Sequence, residues 1–208
     1  MDEVQIRRCS EVKKRILLSV AIAVLVLSLI PGLAIAGPPS MQHGNSSVVT
    51  DPIGDILPQT PEAPAYADIK KTQITHQTGR DTLVFSMNLA GVVPSEPSDD
   101  DLPNELIIYN WYLDLDLSLP WDCMVTLSWT PDDEWVASLM RRGAGEFASL
   151  TPIINGSRIQ VTVDIQTIET EFEQIITEFS WYSVVKYATG SGSNWDVAPD
   201  TLLAYWSR

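Results

Sequence analysis

Residues 109–118 read YNWYLDLDLS. Tyr109, Trp111, Leu113, Leu115 and Leu117 occupy one side of an alternation, and Asn110, Tyr112, Asp114 and Asp116 the other. A period of two sends successive side chains to opposite faces of a strand. The stretch therefore predicts a half-buried strand with its large apolar side chains in a core. The same period returns along the chain. Leu83, Phe85, Met87 and Leu89 share a face, as do Cys123, Val125, Leu127 and Trp129. So do Trp135, Ala137 and Leu139, then Ile159, Val161, Val163 and Ile165, then Phe179, Trp181, Ser183 and Val185. Turn chemistry separates the runs: a Pro-rich acidic loop from Val93 to Glu105, TPDDE at 130–134, RRGAGE at 141–146 and NGS at 155–157. Short alternating strands with turns between them predict an all-β, antiparallel β-sandwich. One helix is expected over 166–176, where Ile168, Phe172, Ile175 and Ile176 recur at helical spacing.

Outside this domain the composition changes. Residues 13–36 place a basic stretch before an uncharged apolar run, a Pro31-Gly32 break and Ala34-Ile35-Ala36. That is the build of a Sec-type secretory signal peptide cleaved before Gly37. The competing reading is an uncleaved anchor, in which case this segment alone would be membrane-inserted; in both readings the domain lies outside the cytoplasm. The expected organisation is a signal peptide over 1–36, a Pro/Gly/Ser-rich leader over 37–64 and a sandwich over 65–208. The expected location is extracellular or at the cell surface.

Charge narrows the partners. The first 36 residues hold five basic and three acidic side chains. Of the chain's 13 basic and 27 acidic residues, the remainder keeps eight and 24, a net charge of −16. Such a surface repels phosphate backbones and anionic lipid, so nucleic acid is discounted as a partner, while cations are attracted. The chain has two cysteines. Cys9 precedes the apolar run, which leaves Cys123 as a small buried hydrophobe and excludes an intramolecular disulfide in the cleaved chain.

Asp114 and Asp116, two residues apart on a strand, leave the same face. Three roles compete for them: a solvated outer face, half of a Ca²⁺ site, or a catalytic pair. For Ca²⁺, six to eight oxygens must converge, and Asp51 and Asp55 of the DPIGD stretch supply candidates. A retaining glycosidase needs carboxyls about 5–5.5 Å apart across a cleft, and no second motif supports that chemistry. GxSxG, HExxH, P-loop and dinucleotide patterns are missing, and His43 and His76 are the two histidines, so a non-catalytic protein is expected. Trp121 beside Asp122 and Trp195 beside Asp196 pair an aromatic face with an acid, as sugar binding requires. With Tyr112 they are the candidate ligand-binding residues; the competing role is to cover the end of the core.

The order DPIGD (Asp51–Asp55), AYADI (Ala65–Ile69), Leu83–Phe85, then Tyr109, Asp114 and Asp116, then DVAPD (Asp196–Asp200) resembles the extracellular β-sandwich domains grouped with family 9 carbohydrate-binding modules and DOMON domains. The resemblance implies a binding or adhesion module for a glycan or cell-surface component, with Ca²⁺ as a bound ion. It also leaves open a spacer of the cell envelope without a small ligand. Haem-binding members use Met and His; here Met87 and His76 would be the pair, but parity puts Met87 in the core.

Overall fold

In the computed structural model the described residues are 45–57, 63–95, 106–118, 120–129, 134–189, 192–200 and 203–208. The expected signal peptide, Cys9, His43, much of the acidic loop after Ser95 and the tip of the 130–134 turn lie outside them. The strands are β1 (Ser46–Thr50), β2 (Ile69–Gln77), β3 (Thr82–Leu89), β4 (Leu106–Asp114), β5 (Cys123–Trp129) and β6 (Val136–Arg141). They continue with β7 (Gly145–Leu150), β8 (Pro152–Asn155), β9 (Arg158–Asp164), then helix α1 (Ile165–Phe172), β10 (Glu178–Thr189), β11 (Gly192–Ala198) and β12 (Ala204–Ser207).

Two antiparallel sheets form the sandwich. One has the order β1-β2-β3-β9-β8; the other runs β11-β10-β4-β5-β6-β7, with β12 also pairing β10. The alternation read from the sequence decides what lies between them. Leu83, Phe85, Met87, Trp111, Leu113, Val125, Leu139, Val163 and Trp181 are all fully buried. Each large apolar side chain so placed contributes about 1.5–3 kcal/mol. Cys123 is buried among them, and burial pushes its thiol up to about 12. Two tryptophans also cross the sandwich with their indole N–H groups: Trp111 Nε1 donates to Thr72 Oγ1 at 2.9 Å, and Trp181 Nε1 to Ser47 Oγ at 3.0 Å. Thr72 Oγ1 lies 2.8 Å from Ser183 Oγ, so Ser183, a polar residue on the inner face of β10, is partnered.

Turns follow the glycines where backbone geometry needs them. Gly143, between β6 and β7, and Gly145, the first residue of β7, have φ of +77° and +95°, and Gly156, between β8 and β9, has +60°. Gly91 serves differently: its N–H binds the carbonyl of Ala65 at 2.8 Å, and a Cβ there would sit 2.8 Å from Ala65 Cβ and 2.9 Å from its backbone.

Three expectations are corrected. The stretch 37–64 contains β1, which pairs β2 from Ser46↔Thr75 to Thr50↔Lys71 and is the edge of a sheet rather than leader. β4 ends at Asp114, so Leu117 is 46% exposed with φ +59°, not a core residue. The helix stops at Phe172, where Glu173 takes the left-handed conformation, and Ile175 is exposed. Trp206 is buried on β12 and stacks on Phe179 at 4.8 Å. Met87 and His76 both face the interior. His76 Nε2 is 3.0 Å from Asp81, and its ring packs edge-on to Trp206.

Candidate functional site: a five-aspartate cluster and an aromatic sheet face

Three segments meet beside β2. The turn after β1 carries Asp51 and Asp55, with Gly54 at φ +88° letting the chain double back. A short 3₁₀ turn (Ala65–Ala67) ends on Asp68, whose own N–H binds Ala65 O. β11 carries Asp196, and Asp200 follows it. Carboxylate oxygens of Asp51, Asp55 and Asp200 lie within 4.8 Å of one another, as do those of Asp55, Asp68 and Asp196. Asp55 belongs to both triads and joins the five into one cluster.

Asp68 and Asp196 are 4% and 3% exposed, so two of the carboxyls sit almost out of water. Backbone donors hold one oxygen of each: Gly54 N–H on Asp68 Oδ2 at 2.8 Å, and Ile69 N–H on Asp196 Oδ2. Asp51 Oδ2, Asp55 Oδ1 and Asp68 Oδ1 are buried with no hydrogen-bond partner. The groups acting on Asp51 are burial first, then Asp196, Asp200, Asp55 and Asp68, and together they push its carboxyl up to about 8. Burial, then Asp55 and Asp68, push Asp196 up to about 7 against the Ile69 bond. Burial and Asp55 raise Asp68 and Asp200 as well. No lysine or arginine is among these influences. A concentration of buried negative charge without a basic partner is costly unless a cation or protons neutralise it. Oxygen-only donors of this number suit a hard cation with flexible coordination, which is Ca²⁺ among the common ones.

Asp114 and Asp116 lie elsewhere. Asp114 pairs with Ser180 of β10, and Asp196 with Val185, five residues away along the same strand and thus about 17 Å. Asp114, Asp116 and Asp122 form a second triad, but each has at least one oxygen engaged within the turn, and none of the triad's oxygens is among the buried ones without a partner. Asp114 accepts from Ser118 N–H and Ser180 Oγ–H, Asp116 from Ser118 N–H and Oγ–H, and Asp122 from Leu115 N–H. The Ser118 bonds hold the Asp116 carboxyl below its ordinary value. This triad closes the turn that lets Leu117 take a positive φ. Because β4 stops at Asp114, the same-face argument for Asp114 and Asp116 ends with it: Asp114 is buried and Asp116 exposed.

The aromatic candidates also divide. Tyr112 and Trp121 come together, ring centroids 5.2 Å apart, and Tyr182 stacks on Tyr112 at 4.8 Å and 14°. Burial raises both tyrosine hydroxyls, Tyr112 and Tyr182, so they remain protonated donors at neutral pH. Trp195 pairs with Lys186, four residues beyond Tyr182 and so about 13 Å along β10. It is 37% exposed, with Lys186 Nζ 4.7 Å from its ring centre, and its backbone bridges Leu57. Strand alternation turns Asp196 inward and Trp195 outward, so the two do not face one ligand.

Asp68, Asp196, Asp200 and Tyr182 complete what the sequence reading began. The signal for the aspartates was present: AYADI and DVAPD, like DPIGD, each contribute aspartates to the one cluster. No protein-family model matches the chain, and no curated protein is significantly similar to it.

Proposed function

We propose that this chain is a non-catalytic extracellular binding module whose sandwich is clasped by Ca²⁺ at Asp51, Asp55, Asp68, Asp196 and Asp200. The observation that carries the reading is the convergence of five carboxylates from three segments, with buried oxygens on Asp51, Asp55 and Asp68 left without partners. The ion would tie the turn after β1 to the start of β2 and to the β11 edge, fixing the N-terminal strand to both sheets. Two features favour a structural rather than a catalytic role for these acids: backbone N–H groups hold Asp68 and Asp196, and both are almost fully buried. Export rests on the 13–36 segment.

Thermal melting tests the proposal. A ligand at 100 times its Kd stabilises by about 2.7 kcal/mol, which at this chain length is a rise of roughly 5–10 °C. Ca²⁺ is expected to raise the melting temperature on that scale and EDTA to abolish the rise. A melting temperature indifferent to both overturns the cation reading.

A further inference from the structure

We infer that the outer face of the seven-stranded sheet binds a neutral glycan, held between the rings of Tyr112, Tyr182 and Trp121 and the amide of Asn110. The inference rests on the reading of the chain as a binding module and names its ligand class and the place where it sits. Parity defines the face. Tyr109, Trp111, Val125, Leu127, Ala137 and Leu139 point into the core at 1% exposure or less, so Asn110, Tyr112, Thr126 and Ser138 point outward. Across the strands, register aligns Tyr182, Tyr112, Met124 and Met140 in one row. The next row is Val184, Asn110, Thr126 and Ser138. Long side chains thus stand beside short ones, and the short row is 8% exposed or less although it lies on an outer face.

Within this step Asn110 is the informative residue. Its Nδ2 donates to Tyr112 Oη at 3.2 Å, which fixes the amide against the aromatic row. Its Oδ1 is buried without a partner, and the residue is 6% exposed. A buried acceptor left unmet is costly, so it calls for a hydroxyl donor. Tyr and Trp rings offer a flat apolar face with a polar end, which fits the C–H face and hydroxyl rim of a pyranose. Charge selects the class: neither row carries a lysine or arginine, Asp114 follows Tyr112 two residues on along the chain, Glu146 pairs with Met140, and the one nearby cation of β10, Lys186, two residues beyond Val184, lies against the Trp195 ring. Anionic ligands are therefore disfavoured and neutral, hydroxyl-rich ones favoured.

The test is calorimetric titration of the purified chain, with tryptophan fluorescence in parallel. The probes are neutral gluco-, xylo-, manno- and N-acetylglucosamine oligosaccharides, with a polyuronic acid as the anionic arm. At least one neutral oligosaccharide is expected to bind. Tyr182→Ala and Asn110→Ala should each weaken it about tenfold or more, and Ile153→Ser, on the exposed β8 edge, should not. Tyr112→Phe keeps the ring and removes the anchor of Asn110, so it weakens binding with a modest fall in the melting temperature, and it serves even if the alanine variants fold poorly. Absence of binding by every neutral probe at millimolar concentration overturns the inference. So does binding unaffected by Tyr112→Phe and Tyr182→Ala, or tighter binding of the polyuronic acid. The EDTA melt reads the aspartate cluster and the titration reads the sheet face, so one fails without the other.

Discussion

Asp68 accepts the N–H of Gly54 through Oδ2 at 2.8 Å and leaves Oδ1 buried without a partner. The bond draws the turn after β1 onto the start of β2, and the carboxyl stands within 4.8 Å of those of Asp55 and Asp196. The carboxyl thus organises the backbone while it meets like charge. A cation resolves that conflict, and in its absence protons must.

Proton uptake gives the metal-free protein a definite pH dependence. Asp51 and Asp196 are pushed up to about 8 and about 7 from the ordinary 3.8. A carboxyl with a folded value above its unfolded one binds more protons in the fold. Its contribution to stability is full below about pH 3.8 and is lost as pH rises through 7 to 8. Without divalent ions, the melting temperature at pH 5.5 should exceed that at pH 8.5, and saturating Ca²⁺ should remove most of the decline. Scanning fluorimetry in chelated buffers checks this; a metal-free melting temperature that rises over the interval contradicts it.

The interior makes its own prediction. Thr72 Oγ1 is the acceptor for Trp111 Nε1 and sits 2.8 Å from Ser183 Oγ. Thr72→Val keeps the shape and strips both groups of a partner, which costs about 1–3 kcal/mol. The melting temperature should fall by roughly 2–12 °C. Thr72→Ser retains the hydroxyl and should lose less. Equal melting of the two variants would show that the bond contributes nothing.

Close approach at Gly91 is expected to be equally exacting. Its absent Cβ would stand 2.8–2.9 Å from Ala65 and Tyr66, most of it backbone. Gly91→Ala should destabilise by about 1–3 kcal/mol, whereas Gly79→Ala, with open space around it, should stay within about 0.5 kcal/mol. Denaturant melts of the two variants separate the cases, and a neutral Gly91→Ala would refute the packing argument.

Period-two alternation carried most of the fold, because one face of every long strand is buried and the pattern is therefore imposed on the sequence. It failed where strands are short. Ser46–Thr50 and Ala204–Ser207 offer too few residues for a period to show, and β1 therefore lies inside the stretch expected as leader. The site was legible only in pieces. Asp51 and Asp55 are neighbours in the chain, but Asp68, Asp196 and Asp200 join them through the β1–β2 pairing and the Leu57–Trp195 bridge, which local sequence does not encode. Asp114 and Asp116 drew attention by spacing alone. They belong to a hydrogen-bonded turn, and a polar turn and half of a cation site look alike until the partners of each oxygen are known.

Calorimetric titration of Ca²⁺ into the wild-type chain, Asp68→Asn and Asp116→Asn tests the central claim most directly. The wild type and Asp116→Asn should bind with similar affinity. Asp68→Asn should lose at least about tenfold, or 1.4 kcal/mol, yet melt no lower than wild type in EDTA, since one repelling buried charge is gone. No Ca²⁺ binding by the wild type, or equal binding by Asp68→Asn, would contradict the account.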